Sequence, residues 1–359
     1  MSAKTRTSCS CWFSCLSLNF ILVFFPLITL SYEHQQLTSC NLFEGSWIFD
    51  DFYPLYDSLQ CPFIDPGLNC LKNGRIDQDF LKYRWQPTDC DLSRFNGEDL
   101  LQKFRGKSFM FVGDSLSNNQ WQSLACMLHA AVPNSNYTFD RTRNRSVLSF
   151  PEFEFTVTFL KNGFLVDLVI EEAGRVLKLD SLSRSDQWKG VDFLIFNSYH
   201  WWIHTGSLQT WDYFQVGDKI YKEMDHMEAY KIALTTWANW VDSNIDPAVT
   251  KVFFQGISAV HYHGKDWDEP MVQDCRGQTK PIEGSNYPGD RYLGEAVVKN
   301  VLSNMTKPVY LLDITLLTQL RKDGHPSRYA NGETDCSHWC VAGVTDAWNE
   351  LLYTILLQK

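Results

Sequence analysis

Positive charge is scarce in this chain. Across 359 residues, 32 lysines and arginines stand against 42 aspartates and glutamates, a formal net charge of −10. A nucleic-acid partner would need a basic stripe, so that class is excluded. The one local cluster, Arg141, Arg143 and Arg145, reads as a solvated loop. No apolar run beyond Leu30 is long enough to cross a bilayer. The H-E-x-x-H signature of zinc proteases is missing. Gly113-Asp114-Ser115-Leu116-Ser117 lacks the closing glycine of a G-x-S-x-G elbow. Internal repeats and low-complexity tracts are absent too. Disorder is excluded from the other direction: 44% of residues are hydrophobic and 21% charged, enough for a sizeable core. The length suits one large domain or a domain with a smaller appendage.

The chain opens with Lys4 and Arg6 and then an apolar run from Leu16 to Leu30. Residues 1–31 therefore read as a signal peptide or a signal anchor and stay outside the fold argument. Of the 11 cysteines, Cys9, Cys11 and Cys15 fall in this leader. The others are Cys40, Cys61, Cys70, Cys90, Cys126, Cys275, Cys336 and Cys340, an even set that suggests four disulfides in an oxidising lumen. Sequons at Asn136, Asn144 and Asn304 fit glycosylation in the same compartment. A zinc site at Cys336-Ser337-His338-Trp339-Cys340 is the rival reading, disfavoured because disulfide formation would compete for the thiolates.

Residues 40–92 hold four cysteines, many turn residues and little periodicity, and read as a loop-rich segment stapled by bridges. From about Lys107 strands and helices alternate. Ser108–Val112 predicts a short strand, and Leu116, Trp121, Leu124 and Leu128 mark a helix after it. Glu152 to Phe159 alternates strictly, and Lys161-Asn162-Gly163 would turn it into Phe164–Ile170, a hairpin. Strands at Phe193–Phe196, Lys251–Gln255 and Val309–Asp313 follow, with helices over Tyr221–Ser243, Tyr292–Ser303 and Thr345–Leu357. This order predicts an α/β fold, a mainly parallel sheet with helices on both faces.

Two motifs carry chemistry. Gly113-Asp114-Ser115 lies where the first strand enters the first helix. A helix N-terminus offers unpaired N–H groups and the positive end of a dipole, a place to stabilise an oxyanion beside a serine. Taken alone, Ser115 is as well explained as a helix cap. Asp335-Cys336-Ser337-His338 sets a carboxylate three residues before an imidazole. Asp335 can orient His338, whose other ring nitrogen takes the serine proton. The bland alternative is a surface salt bridge. Together the motifs predict a Ser115, His338, Asp335 triad. His200-Trp201-Trp202 is a candidate glycan platform, since indole faces stack on sugar C–H surfaces, or a core plug beside the site. His261 with His263, and His200 with His204, also suggest metal ligands, but no ligand at standard spacing completes either set, and no metal is expected.

These residues resemble the plant trichome birefringence-like family, within the broader SGNH/GDSL group. Its powdery-mildew-resistance-type N-terminal domain is matched by Cys61-Pro62-Phe63-Ile64, Asn73-Gly74-Arg75, Trp85-Gln86-Pro87 and Cys90-Asp91-Leu92. Its esterase-like domain, here residues 105–359, is matched by Arg105-Gly106-Lys107, Gly113-Asp114-Ser115-Leu116, Phe196-Asn197 and Asp335-Cys336-Ser337-His338-Trp339-Cys340. The resemblance implies an SGNH-like fold and O-acetylation of a cell-wall polysaccharide such as xylan, mannan or pectin. Acetylesterases and non-catalytic wall-binding proteins are the alternatives. It implies a Golgi lumenal protein or one secreted to the wall, touching membrane only through an N-terminal anchor. It implies no bound cofactor, an acetyl donor as co-substrate, and Asn197 as an oxyanion donor with the Ser115 N–H. It also implies bridges Cys40–Cys90, Cys61–Cys126, Cys70–Cys340 and Cys275–Cys336. Gln255 stands where many members carry arginine, and Val341-Ala342 where Leu-Pro is common; Gln255 is a candidate substrate contact.

Overall fold

Phe109 and Phe111 point to one side of the strand Ser108–Gly113 while Val112 points to the other, and each side meets its own apolar cluster. That two-sided burial makes this strand the centre of a sheet covered on both faces. The computed structural model describes residues 40–358. In chain order, β1 (Gly45–Phe49) pairs antiparallel with β2 (Tyr83–Pro87), and a short α1 (Gly97–Lys103) precedes the central β3 (Ser108–Gly113). Then come α2 (Ser115–Ala131), β4 (Thr138–Arg141), β5 (Arg145–Phe150) and β6 (Phe155–Lys161). A side sheet is built from β7 (Asp167–Glu171), β8 (Gly174–Lys178), β10 (Tyr213–Val216) and β11 (Lys219–Tyr221), with β9 (Phe193–Phe196) between them in sequence. The remainder is α3 (His226–Asn244), β12 (Lys251–Gln255), α4 (Leu293–Ser303), β13 (Val309–Leu312) and α5 (Thr315–Gln319), then the small pair β14 (Ser327–Ala330) and β15 (Glu333–Asp335), and α6 (Val344–Leu357).

The main sheet runs β13-β12-β9-β3-β6-β5-β4. Its first five strands are parallel, and β5 and β4 extend it antiparallel. Helices α2 and α6 cover one face through Leu116, Trp121, Trp348 and Leu351. Helices α3 and α4 cover the other through Ala233, Trp237, Val298 and Val301. The α/β class and the mainly parallel sheet are as the sequence predicts. The four bridges are those the family resemblance implies: Cys40–Cys90, Cys61–Cys126, Cys70–Cys340 and Cys275–Cys336. The leader lies outside the described residues. Among the described residues no helix is long and apolar enough to cross a membrane.

The structure corrects several local expectations. The hairpin across Asn162-Gly163 does not form. Asn162 N–H donates instead to the Gly113 carbonyl (2.8 Å), β6 pairs parallel with β3, and β7 pairs with β8 in the side sheet. A local turn signal has lost to long-range pairing. The alternation before Phe155 is not strand either. Pro151 has no N–H for a ladder, a 3₁₀ turn covers Pro151–Phe153, and Glu154 adopts a left-handed φ of 52°. Helix α3 starts at His226 rather than Tyr221, because Asp225 caps it by accepting from Met227 N (3.0 Å) and Glu228 N (2.9 Å). The segment read as loops holds β1 and β2, with Trp47 opposite Trp85. Arg141 is not merely solvated: it donates to Asp65 Oδ1 (2.7 Å) and to the Phe63 carbonyl (2.8 Å).

Helix α6 buries two carboxyls, and among the described residues neither forms a salt bridge, though the charge of Arg94 acts on Glu350. Asp346 accepts from Ser123 Oγ (2.6 Å), Tyr56 OH (3.0 Å) and Gly343 N (3.0 Å), and Glu350 from Tyr53 OH (2.7 Å). Burial raises Asp346 from 3.8 to about 6 and Glu350 from 4.5 to about 7, outweighing those bonds. The folded state thus holds these protons more tightly than the unfolded chain. Their stabilisation is complete below about pH 4 and lost as pH rises through 6 to 7. The buried His261 and His325, whose pKa values burial lowers, act in the opposite sense over the same range, so the carboxyl share is read as a difference between two proteins. In urea denaturation, Asp346→Asn should gain unfolding free energy relative to the parent protein on going from pH 5 to pH 8, by on the order of 1 kcal/mol. A difference that does not change with pH would contradict it.

Candidate active site

The site grows from the end of β3. Gly113 closes the strand, and a side chain there would collide: an added Cβ would lie 2.6 Å from the Asn197 carbonyl oxygen and 2.4 Å from Ser117 Oγ. Glycine thus lets the end of β9 approach the end of β3. Asp114 is the N-cap of α2 and accepts from Leu116 N (2.8 Å). The capping role open to Ser115 therefore belongs to Asp114. Ser115 is the first helical residue, half-buried, in the position whose N–H has no partner within the helix.

The second half arrives from the C-terminal loop. Asp335 Oδ2 accepts from His338 Nδ1 (2.6 Å). Its Oδ1 accepts from Ser337 N (2.9 Å), Ser337 Oγ (2.9 Å) and His338 N (3.0 Å). So many donors on one carboxylate fix both its charge and the ring it faces. Burial works to raise the Asp335 pKa, but the bonds and charge of His338 prevail and hold it well below the usual carboxylate range. Burial works to lower the His338 pKa, and Asp335 reverses that, leaving it raised above 6.5. The charges of Asp114 and Asp65 act on His338 in the same direction.

Asn119 joins the halves. It lies one helical turn after Ser115, on the same face of α2. Its Oδ1 accepts from Trp339 N (2.8 Å) and its Nδ2 donates to the Trp339 carbonyl (3.1 Å), clamping the residue after His338. Asp65 braces the same turn, accepting from Asn118 Nδ2 (2.8 Å) and Gln122 Nε2 (2.8 Å). Sequence reasoning missed Asn119, Asp65 and Arg141. The one available signal was the spacing of Asn119, four positions after Ser115, and the run Ser117-Asn118-Asn119-Gln120 around it does not single it out.

The other predicted residues separate by burial. With its amide turned to satisfy both ends, Asn197 donates to Asp114 Oδ1 (2.6 Å) and Oδ2 (3.2 Å), and its oxygen accepts from Gln255 Nε2 (3.2 Å). As placed it props the cap; to serve an oxyanion its amide must turn from Asp114. Gln255 is 1% exposed and faces Asn197, so it supports the site from within and is no direct substrate contact. His200 is buried against the Ser258 carbonyl (2.9 Å), and Trp202 is fully buried with its Nε1 donating to Ser198 Oγ (2.8 Å). Those two are core, because the loop after β9 folds inward. Trp201 alone of that motif stays half-exposed, its ring against Gly163 and Phe164. His261 bonds His325 instead of grouping with His263. Among the described residues no three His, Cys, Asp or Glu side chains converge to hold a metal. Asn136, Asn144 and Asn304 are all exposed.

A strand-to-helix serine, a late Asp-x-x-His and a parallel sheet define an SGNH-like acyl-esterase class. Residues 92–355 match the PC-esterase family, described as a GDSL/SGNH-like acyl-esterase family found in Pmr5 and Cas1p. Residues 38–91 match the PMR5 N-terminal domain. The chain belongs to the trichome birefringence-like family. It is 58% identical over 329 residues to the Arabidopsis thaliana protein trichome birefringence-like 42, covering 90% of this chain and 91% of that one. It is 52% identical to trichome birefringence-like 39 of the same plant, covering 89% and 88%. With Arabidopsis trichome birefringence itself the identity is 39%, covering 90% of this chain and 57% of that one.

Proposed function

We propose that this protein transfers acetyl groups to a cell-wall polysaccharide through an acyl-enzyme on Ser115. The observation that carries the reading is the His338–Asp335 pair on a loop that Asn119, on the helix beginning at Ser115, holds through the Trp339 main chain. His338 Nε2 takes the proton of Ser115 as its Oγ attacks the acetyl carbonyl of the donor. The donor's leaving group departs with that proton. A sugar hydroxyl then attacks acetyl-Ser115, giving its proton to His338, which returns it to Ser115 Oγ. The oxyanion in each step lies at the α2 N-terminus, met by the Ser115 N–H and by Asn197 once its amide turns. The four bridges support a route through an oxidising lumen, ending in the Golgi or the wall, with glycans on Asn136, Asn144 and Asn304.

The acceptor's place is a cavity of about 220 Å³ just past the end of β6, lined by Lys161, Asn162, Arg184 and Trp201. Its lining residue Asn162 is bonded to Gly113, two residues before Ser115, which ties the cavity wall to the strand end that carries the serine. Trp201 offers a ring face for a sugar, and Lys161 and Arg184 give an otherwise acidic protein a local cationic wall suited to a uronate-bearing chain. Trp201→Ala should raise KM for the oligosaccharide roughly 10-fold, with donor hydrolysis in water unchanged. An unchanged KM would remove Trp201 from the acceptor site.

The deciding test uses the secreted, glycosylated protein, an activated acetyl ester and panels of xylan, mannan and pectin oligosaccharides, read by mass. Acetyl gain on one oligosaccharide establishes the transferase and its substrate class. Acetyl loss from a pre-acetylated oligosaccharide, with gain on none, makes it an esterase. Neither, from folded protein that still binds a glycan, favours a non-catalytic binding role.

A further inference from the structure

Behind His338 lies a chain of buried histidines that the proposed chemistry does not use. His325 Nδ1 is 2.7 Å from the His338 carbonyl oxygen. His325 Nε2 is 2.7 Å from His261 Nδ1, and His261 Nε2 is 2.9 Å from the Gln319 carbonyl oxygen. The rings are 1% and 0% exposed for His325 and His261. Both ends of this chain are carbonyls, which only accept. Three contacts at hydrogen-bond length therefore need three protons, and two neutral imidazoles carry two.

A third proton would make the pair a buried cation. Asp323 and Asp335 favour that charge, and Lys322 and His338 oppose it. Burial decides the balance, bringing His261 from 6.5 to about 4 and His325 well below its ordinary value. At neutral pH one link therefore lacks its proton, and a bare ring nitrogen must face an acceptor. That repulsion is weakest at the longest contact, the 2.9 Å one to Gln319.

We infer that His261 and His325 are both Nδ1–H tautomers donating toward the triad, and that His325 is a positioning residue which fixes the main chain of His338. The inference rests on His338 being the catalytic base. His325 is well built for the task. Its ring stacks on Trp339 at 4.0 Å and 25°, and Trp339 Nε1 donates to Ser258 Oγ (2.8 Å). Arg75 donates to the His325 carbonyl (3.2 Å) and the Asp323 carbonyl (2.8 Å), holding the backbone on either side of Gly324. His338 is thus gripped twice, at Nδ1 by Asp335 and at its carbonyl by His325.

The test pairs spectroscopy with two isosteres. Long-range ¹H–¹⁵N spectra of the ¹⁵N-labelled full-length protein at pH 7 should show His261 and His325 protonated at Nδ1 and bare at Nε2. Asparagine places its amide near the Nδ1 position, and glutamine near Nε2. His325→Asn should therefore keep kcat for acetyl-ester turnover within about 3-fold, while His325→Gln lowers it roughly 10- to 100-fold at unchanged KM. A proton found on His325 Nε2 would overturn the assignment. Equal kcat losses in both variants, at equal unfolding midpoints, would overturn the positioning role. The tautomer measurement needs no turnover, so it stands even if the acetyl-transfer reading itself fails.

Discussion

Ser115→Ala should reduce acetyl turnover by about 10⁴-fold or more while the unfolding midpoint stays near that of the parent protein. The serine is half-buried and Asp114, not Ser115, caps α2, so the hydroxyl has little to do in holding the fold. Asp335→Asn should cost a comparable ~10³–10⁴-fold. An asparagine oxygen can still accept from the Ser337 and His338 backbone, but its NH₂ then opposes His338 Nδ1 and drives the ring toward the wrong tautomer. The pH profile supplies an independent check. A general base must be neutral, so kcat/KM falls as pH drops through the His338 pKa, which Asp335 holds above 6.5. In Asp335→Asn that acid limb should move to lower pH. Turnover retained in Ser115→Ala, or an acid limb that ignores Asp335, would refute the triad.

Removing one bridge should have the largest effect on stability. Cys70 and Cys340 are 270 residues apart, and closing a loop of that length restricts the unfolded chain by about 5–6 kcal/mol, against about 4 kcal/mol for the 50-residue Cys40–Cys90 loop. The double change Cys70→Ser, Cys340→Ser should therefore lower secretion yield and unfolding midpoint more than Cys40→Ser, Cys90→Ser. It should also impair activity in whatever protein does fold. Cys340 lies two residues after His338, and the same junction is held by Val341 N donating to the Leu68 carbonyl (3.0 Å). The N-terminal segment thereby clamps the loop that carries His338. Midpoints that rank the other way would show that loop length is not what these bridges contribute.

The proposed reacting groups were legible because their motifs are local. Gly-Asp-Ser at a strand-to-helix junction and Asp-x-x-His before the last helix are short patterns whose geometry follows from spacing. The strands Phe193–Phe196 and Lys251–Gln255 were equally plain, since a short apolar run with no polar face can only be buried on both sides. The bridges were read only through family resemblance, because eight cysteines allow far too many pairings for spacing to choose among.

Side-chain partners and burial were not legible. Nothing local to Asn119 indicates Trp339, 220 residues later, nor does Arg141 name Asp65, 76 residues earlier. Trp201 and Trp202 are neighbours of one type, yet one lines a cavity and the other is fully buried. Asn162-Gly163 has every local mark of a hairpin and makes none, because bonding to Gly113 and packing against Trp201 outweigh the turn. The sequence by itself determined the α/β class, the strands Ser108–Gly113, Phe193–Phe196 and Lys251–Gln255 and the motifs from which a triad is proposed, all properties of contiguous residues. Only the tertiary structure decided which polar groups brace the His338 loop and which tryptophan of the pair lines a cavity, since those depend on contacts between segments far apart in the chain.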